Sequence, residues 1–230
     1  MKEKILIVDD EKEIADLVEV YLKNDGYEVF KFYNAEEALE CTKREHLSLA
    51  ILDVMLPDMD GFTLCQKIRE NHLFPIIMLT AKVDDMDKIN GLTLGADDYI
   101  TKPFNPLELM ARVKTQLRRY TRYNTADAGE QDEIDIRGLH ISNKSHKCTL
   151  NGKELALTPI EFDILWYLCK HCGNVVSSEE LFEGVWGEEY LDNNNTVMAH
   201  IARIREKMQE PARKPKYVKT VWGVGYTIER

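Results

Sequence analysis

The 230-residue chain has no apolar run able to cross a bilayer: its longest, such as Ile76–Leu79, fall far short of the roughly 20 residues a spanning helix needs. The opening Met1-Lys2-Glu3-Lys4 leads into Ile5–Val8 and then at once into Asp9-Asp10-Glu11. That stretch is too short for the core of a signal peptide, so the expected location is the cytoplasm. Cysteine is sparse and odd in number: Cys41, Cys65, Cys148, Cys169 and Cys172 are scattered along the chain. A disulfide framework is thereby disfavoured and a reducing compartment favoured. Cys169 and Cys172 have C-x-x-C spacing, but no second ligand pair stands at a matching distance, so buried helical thiols are the simpler reading. No internal repeat is present.

Apolar residues make up 44% and charged residues 30%, the balance of a soluble globular protein. A net charge of −10 argues against indiscriminate nucleic-acid binding. Residues 1–124 carry 23 acidic and 17 basic side chains, and residues 125–230 carry 17 and 13. One basic region stands out: Arg203, Arg205, Lys207, Arg213, Lys214, Lys216 and Lys219 face only Glu206 and Glu210.

Residues 1–120 alternate short apolar strands with helix-length amphipathic segments. Ile5–Val8, Val29–Tyr33, Leu49–Leu52, Ile76–Leu79 and Tyr99–Thr101 read as strands, several of them apolar throughout, as in a parallel sheet covered on both faces. Helices are predicted near 11–24, 35–45, 60–71, 84–94 and 105–120; in the first, Ile14, Leu17, Val18 and Tyr21 share one face. Five β-α units in succession make a doubly wound α/β domain.

Residues 121–131 lack apolar periodicity and read as a linker. Beyond them, short antiparallel strands are expected at Ile134–Ile136, Leu139–Ser142, Lys147–Leu150 and Glu154–Leu157, with a turn at Asn151-Gly152. Thr158-Pro159-Ile160-Glu161 has the form of a helix start with a capping box. Helices near 178–185 and 195–208 and a closing hairpin at Tyr217–Ile228 complete a winged helix-turn-helix over 132–230.

In a doubly wound sheet, ligands sit at the carboxyl ends of the strands. Here those ends carry Asp9-Asp10, Asp53, Thr80 and Lys102-Pro103. Converging carboxylates repel one another and call for a cation, and an all-oxygen set suits Mg²⁺. Each residue alone has a structural reading. Asp10 with Glu13 makes a capping box, Asp9 a strand-end turn, Asp53 a loop carboxylate, Thr80 an ST-turn and Lys102 a solvated charge. All four strand ends together favour the site.

The strings VDDE (8–11), ILDVMLPDMDG (51–61), IIMLTA (76–81) and GADDYITKPF (95–104) resemble the flavodoxin-like receiver domain of two-component response regulators, over residues 4–120. The resemblance implies that Asp53 accepts a phosphoryl group from a sensor histidine kinase. It implies that Asp9, Asp10, Asp53 and the Met55 backbone carbonyl hold Mg²⁺, and that Lys102 and Thr80 bind the phosphoryl oxygens. The Lys102-Pro103 bond is expected to be cis. Tyr99 is expected to be the aromatic that turns inward on activation; on the residues alone it is a half-buried strand aromatic. A dimer face is implied along Lys88–Arg119, pairing Lys88 with Glu108, Asp98 with Arg112 and Asp97 with Arg119. Thr93 stands where relatives often carry an acid, which would leave Lys114 without a cross-dimer partner. Exposed pairs contribute about 0–1 kcal/mol each, so such a face acts as a set.

The second half resembles the OmpR/PhoB winged-helix subfamily. Val197, Ile201, Ile204 and Met208 form the apolar face of the expected recognition helix, with His200, Arg203 and Lys207 on an outer basic face. The resemblance places Thr196, His200, Arg203 and Arg205 near phosphates or bases of double-stranded promoter DNA, with Thr220 and Trp222 in the wing and Trp186 near the backbone. Ala202 stands where relatives often have arginine. Trp222 replaces an arginine that several of them insert into the minor groove. EIADLVEVYLKN, LTLGADDYITKPF and KTVWGVGY are similar to VanR-type regulators of glycopeptide resistance.

The implied function is a phosphorylation-dependent transcriptional regulator, not an enzyme, with a kinase, DNA, a second copy and RNA polymerase as partners. A Mg²⁺-dependent phosphatase would need a second aspartate where Met55 stands. A DNA-binding protein with a degenerate receiver is at odds with the intact pocket set.

Overall fold

The computed structural model describes residues 2–81, 95–122, 133–187, 196–211 and 214–229. Two compact units divide the chain, Met1–Tyr120 and Thr121–Arg230. The predicted helix near 84–94 and the segment 123–131 of the predicted linker lie outside the described residues.

The first unit runs β1 (Lys4–Val8), α1 (Lys12–Asn24), β2 (Glu28–Phe32), α2 (Ala35–Arg44), β3 (Leu49–Asp53), α3 (Gly61–Arg69), β4 (Ile76–Ala81), β5 (Asp98–Lys102) and α4 (Pro106–Arg122). The strands form one five-stranded sheet in the order β2-β1-β3-β4-β5, and every pairing is parallel. The doubly wound α/β reading therefore holds. Ile5, Ile7, Leu49, Ile51, Ile77 and Leu79 pack against Ala15, Val18 and Leu22 of α1 and Leu109 and Val113 of α4. A sheet buried on both faces needs near-continuous apolar strands, and β1, β3 and β4 supply them.

Two loop carboxylates hold the helices around the pocket. Asp60 caps α3 by accepting from the Thr63 amide at 2.9 Å, and Asp58 accepts from the amides of Ala35 and Glu36 at the start of α2, each at 2.9 Å. Each satisfies helix-start amides that have no intrahelical partner. The capping box expected of Asp10 and Glu13 is absent: α1 is capped at Glu11 without a side-chain bond.

The second unit opens with an antiparallel sheet, β6 (Glu133–Ile136), β7 (Leu139–Ser142), β8 (Lys147–Leu150) and β9 (Lys153–Glu154). Helices α5 (Pro159–Lys170), α6 (Ser178–Trp186) and α7 (Thr196–Lys207) follow, with β10 (Val176–Ser177) before α6. The chain ends in a hairpin of β11 (Val218–Val221) and β12 (Gly225–Ile228), which joins β10 in the order β10-β12-β11. This is the predicted winged helix-turn-helix. The fourth predicted strand is shorter than expected: only Lys153 and Glu154 pair with β8, because the chain turns off toward the α5 cap, where the Thr158 amide donates to Glu161 at 2.8 Å. All five cysteines are free thiols. Burial pushes the Cys148 thiol up to about 12 and Cys169 higher, so neither is a ready thiolate.

Candidate functional site

Parallel pairing of β1, β3, β4 and β5 brings their carboxyl ends to one edge of the sheet. Asp9 and Asp10 follow β1, Asp53 closes β3, Thr80 lies near the end of β4 and Lys102 closes β5. Asp9, Asp10 and Asp53 offer carboxylate oxygens that all lie within 4.8 Å of one another, with Asp9 and Asp53 buried and Asp10 exposed. Among the described residues they are the sole group of three His, Cys, Asp or Glu side chains so placed. A hard divalent cation with retained water suits such a donor set.

The Lys102 ammonium bridges the cluster, 2.9 Å from Asp9, 3.1 Å from Asp53 and 3.1 Å from Glu11. Burial pushes the carboxyls of both Asp9 and Asp53 above the usual range, and the nearby Lys102 offsets this only in part. For Lys102 burial acts in the lowering direction, but its bonds to Asp9 and Glu11 hold it above the ordinary lysine value. Asp53 also accepts bonds from the backbone of Met55 and Val54. The residues thus concentrate negative charge that one lysine does not balance, a property shared by cation sites.

The Lys102-Pro103 bond is cis, as expected. The Thr80 hydroxyl donates to the Ala81 carbonyl at 2.8 Å, and Tyr99 is half-buried on β5. Two supporting residues lie within the quoted strings but were given no role there. Glu11, exposed at the start of α1, is a third anchor for Lys102. Gly61 approaches so closely that a Cβ there would lie 1.9 Å from the Asp53 backbone oxygen. Its signals in the sequence were a glycine after an aspartate-rich turn and its place at the end of the ILDVMLPDMDG string.

Along β5 and α4 several expected partners are engaged within the chain. Arg112 reaches Asp98 at 3.1 Å and Glu108 at 3.2 Å. Burial raises the Asp98 carboxyl, opposed by Arg112 and, more weakly, by Arg119. Asp97 corrects the sequence reading. It is buried, paired with Arg69, and accepts from the Ile76 amide at 2.8 Å, so it does not lie on an exposed face opposite Arg119. Arg119 is itself mostly buried, and Lys114 pairs with Asp25 at 2.8 Å. Lys88 and Thr93 lie outside the described residues.

In the second unit the expected outer face of α7 is also corrected. Thr196, His200 and Arg203 are buried, His200 completely. Arg203 lies 2.9 Å and Lys207 2.6 Å from the two carboxylate oxygens of Glu161 on α5, which draws both cations inward. Arg205 donates to the Val218 carbonyl at 2.7 Å and to the Thr220 hydroxyl at 2.8 Å, tying α7 to the hairpin. Trp186, expected near a DNA backbone, is buried and stacked on Phe182 with ring centroids 4.8 Å apart. Trp222, by contrast, is 90% exposed at the hairpin tip.

A family model described as the response regulator receiver domain matches residues 5–114, and one described as the C-terminal part of transcriptional regulatory proteins matches residues 152–228. The chain is 63% identical to the regulatory protein VanRc of Enterococcus gallinarum and 59% identical to the regulatory protein VanR of Enterococcus faecium, covering 100% of each pair. It is similar to the crystal structure of DrrB, a Thermotoga maritima OmpR/PhoB homologue, with 36% identity, a TM-score of 0.53 and 100% of both chains covered.

Proposed function

The chain belongs to the response regulators of OmpR/PhoB type, a receiver joined to a C-terminal DNA-binding domain, and from that premise we propose that phosphorylation of Asp53 controls its binding to promoter DNA. The observation that carries the proposal is the convergence of Asp9, Asp10, Asp53 and Lys102 at one sheet edge. In this reading the receiver spans 1–120, a linker 121–131 and the DNA-binding domain 132–230.

An Asp53 carboxylate oxygen forms the new bond to phosphorus, while the phosphorus–nitrogen bond of a kinase phosphohistidine breaks and the imidazole keeps its electron pair. A carboxylate is a weak nucleophile, so positioning and charge neutralisation supply the rate. Asp9, Asp10, Asp53 and the Met55 carbonyl would hold Mg²⁺, which when bound neutralises charge on the phosphoryl oxygens. Lys102, already beside Asp53, pairs with one phosphoryl oxygen, and Thr80 turns its hydroxyl from Ala81 toward another. Tyr99 responds to that movement. Met55 offers no acid or base for hydrolysis, which favours a lasting acyl phosphate over turnover.

The acyl phosphate carries roughly one and a half to two negative charges where the Asp53 carboxylate carried one, and the output is a symmetric dimer through α4 and β5, with Glu108, Asp98 and Arg112 exchanging their internal pairs for pairs across two copies. The dimer acts in the cytoplasm on two DNA half-sites, with RNA polymerase as a further partner. The likeness to VanR and VanRc supports control of glycopeptide-resistance genes. Incubation with a small acyl-phosphate donor and Mg²⁺, followed by mobility shift on the chain's own promoter, tests the proposal: tighter binding only after phosphorylation supports it, and unchanged binding contradicts it.

A further inference from the structure

The outward stripe of α7 differs from what its basic composition suggests. With Thr196, Val197, Ala199, His200, Ile201, Arg203 and Ile204 buried, the exposed positions in the first two turns are Met198, 48% exposed, and Ala202 one turn further. Arg205, Glu206 and Gln209 continue the stripe, but the Arg205 guanidinium is engaged by Val218 and Thr220. Those bonds hold α7 to β11, whose hairpin presents Trp222. Lys214 and Lys216, in the segment that leads from α7 to β11, are exposed; Lys219 on β11 is half-exposed and paired with Glu229. An apolar helix face followed in the chain by exposed lysines fits a duplex, where phosphates flank the base edges.

A recognition helix presents its N-terminal residues to base edges in the major groove. Guanine is read by bidentate Arg or Lys and adenine by Asn or Gln; Met198 and Ala202 can make neither bond. The base-edge group that matches an apolar side chain is the C5 methyl of thymine. Resting on the DNA-binding reading above, we propose that the chain selects its DNA through thymine methyl groups packed against Met198 and Ala202. Trp222 lies against the sugar surface beside the minor groove and adds affinity without sequence preference.

The test uses the full chain and DNA selected by it from a random library. Each thymine of the selected site is replaced in turn by deoxyuridine, which keeps the hydrogen-bonding edges and lacks only the methyl. Burial of one such group changes a binding constant roughly fourfold. The expected result is a loss of about that size at one or two positions in each half-site. In Met198→Ala that penalty shrinks at one of those positions, whereas Trp222→Ala weakens all sequences alike. Equal affinity for every deoxyuridine site would overturn methyl readout and leave DNA binding standing. A selection that enriches no sequence would overturn both. Both side chains are exposed, so the variants keep their fold, which tryptophan fluorescence of Met198→Ala and circular dichroism of Trp222→Ala verify.

Discussion

The Lys102 ammonium stands 3.1 Å from the Asp53 carboxylate, placed there by the ends of β5 and β3, two positions apart in the sheet, and shared with Asp9 and Glu11. Lys102→Met keeps the aliphatic stem and removes the cation, leaving two buried carboxylates to repel each other. Loss of a preorganised charge partner costs roughly 10²-fold in rate. Phosphorylation of the variant by a small donor, followed by intact-protein mass spectrometry, is expected to slow by about that factor with Asp53 still present. A wild-type rate would show that Lys102 serves structure alone.

Gly61 lies against the backbone of Asp53, so even a methyl group there has no room. Gly61→Ala must displace the Asp53 peptide or the start of α3, an overpacking change that costs about 1–3 kcal/mol. Expected are a lower unfolding midpoint of the first unit, read by hydrogen exchange, and slower phosphorylation. Both unchanged would mean that the loop yields freely.

Glu161 is buried between Arg203 and Lys207. Burial alone would raise its carboxyl, but the two cations hold it below the usual range. The unfolded chain therefore takes up the proton more readily. The triad's stabilisation is complete above the ordinary glutamate value and is lost as pH falls through the depressed one. Glu161→Gln leaves two inward cations unmatched and is expected to cost about 3 kcal/mol at neutral pH. The chain's three tryptophans, Trp166, Trp186 and Trp222, all belong to the second unit, so fluorescence in urea reads that unit alone. A variant with wild-type stability and an unaltered acid limb would contradict this assignment.

Arg112 pairs with Asp98 and Glu108 inside one chain, and the proposed dimer uses the same three side chains across two. Arg112→Ala is expected to weaken the phosphorylated dimer about tenfold, a larger loss than one exposed pair gives because two pairs go together. Light scattering at several concentrations measures it. A wild-type protein that stays monomeric with a phosphate mimic would remove the dimer from the account.

The pocket was legible because parallel topology gathers strand ends whatever lies between them, and Asp9, Asp53, Thr80 and Lys102 are readable as strand-end residues. The α7 surface was not, because periodicity counts a charge as outward unless a distant partner captures it. Glu161, 46 positions before Lys207, is such a partner. Arg69 likewise captures Asp97 from 28 positions away, and nothing local to the Asp97-Asp98 pair signals which carboxylate turns inward. Two-residue β10 carries no pattern at all; it exists because β12 offers it an edge.

Everything proposed for the pocket depends on Asp53 being the phosphoacceptor whose modification governs DNA binding. The most direct measurement is mass spectrometry of the chain and of Asp53→Asn after treatment with a phosphodonor and Mg²⁺, with promoter affinity taken on the same samples. One phosphate is expected on the wild-type chain, mapped to Asp53 and accompanied by tighter promoter binding, and neither in Asp53→Asn. A phosphate retained in Asp53→Asn, or promoter binding indifferent to it, would contradict that role.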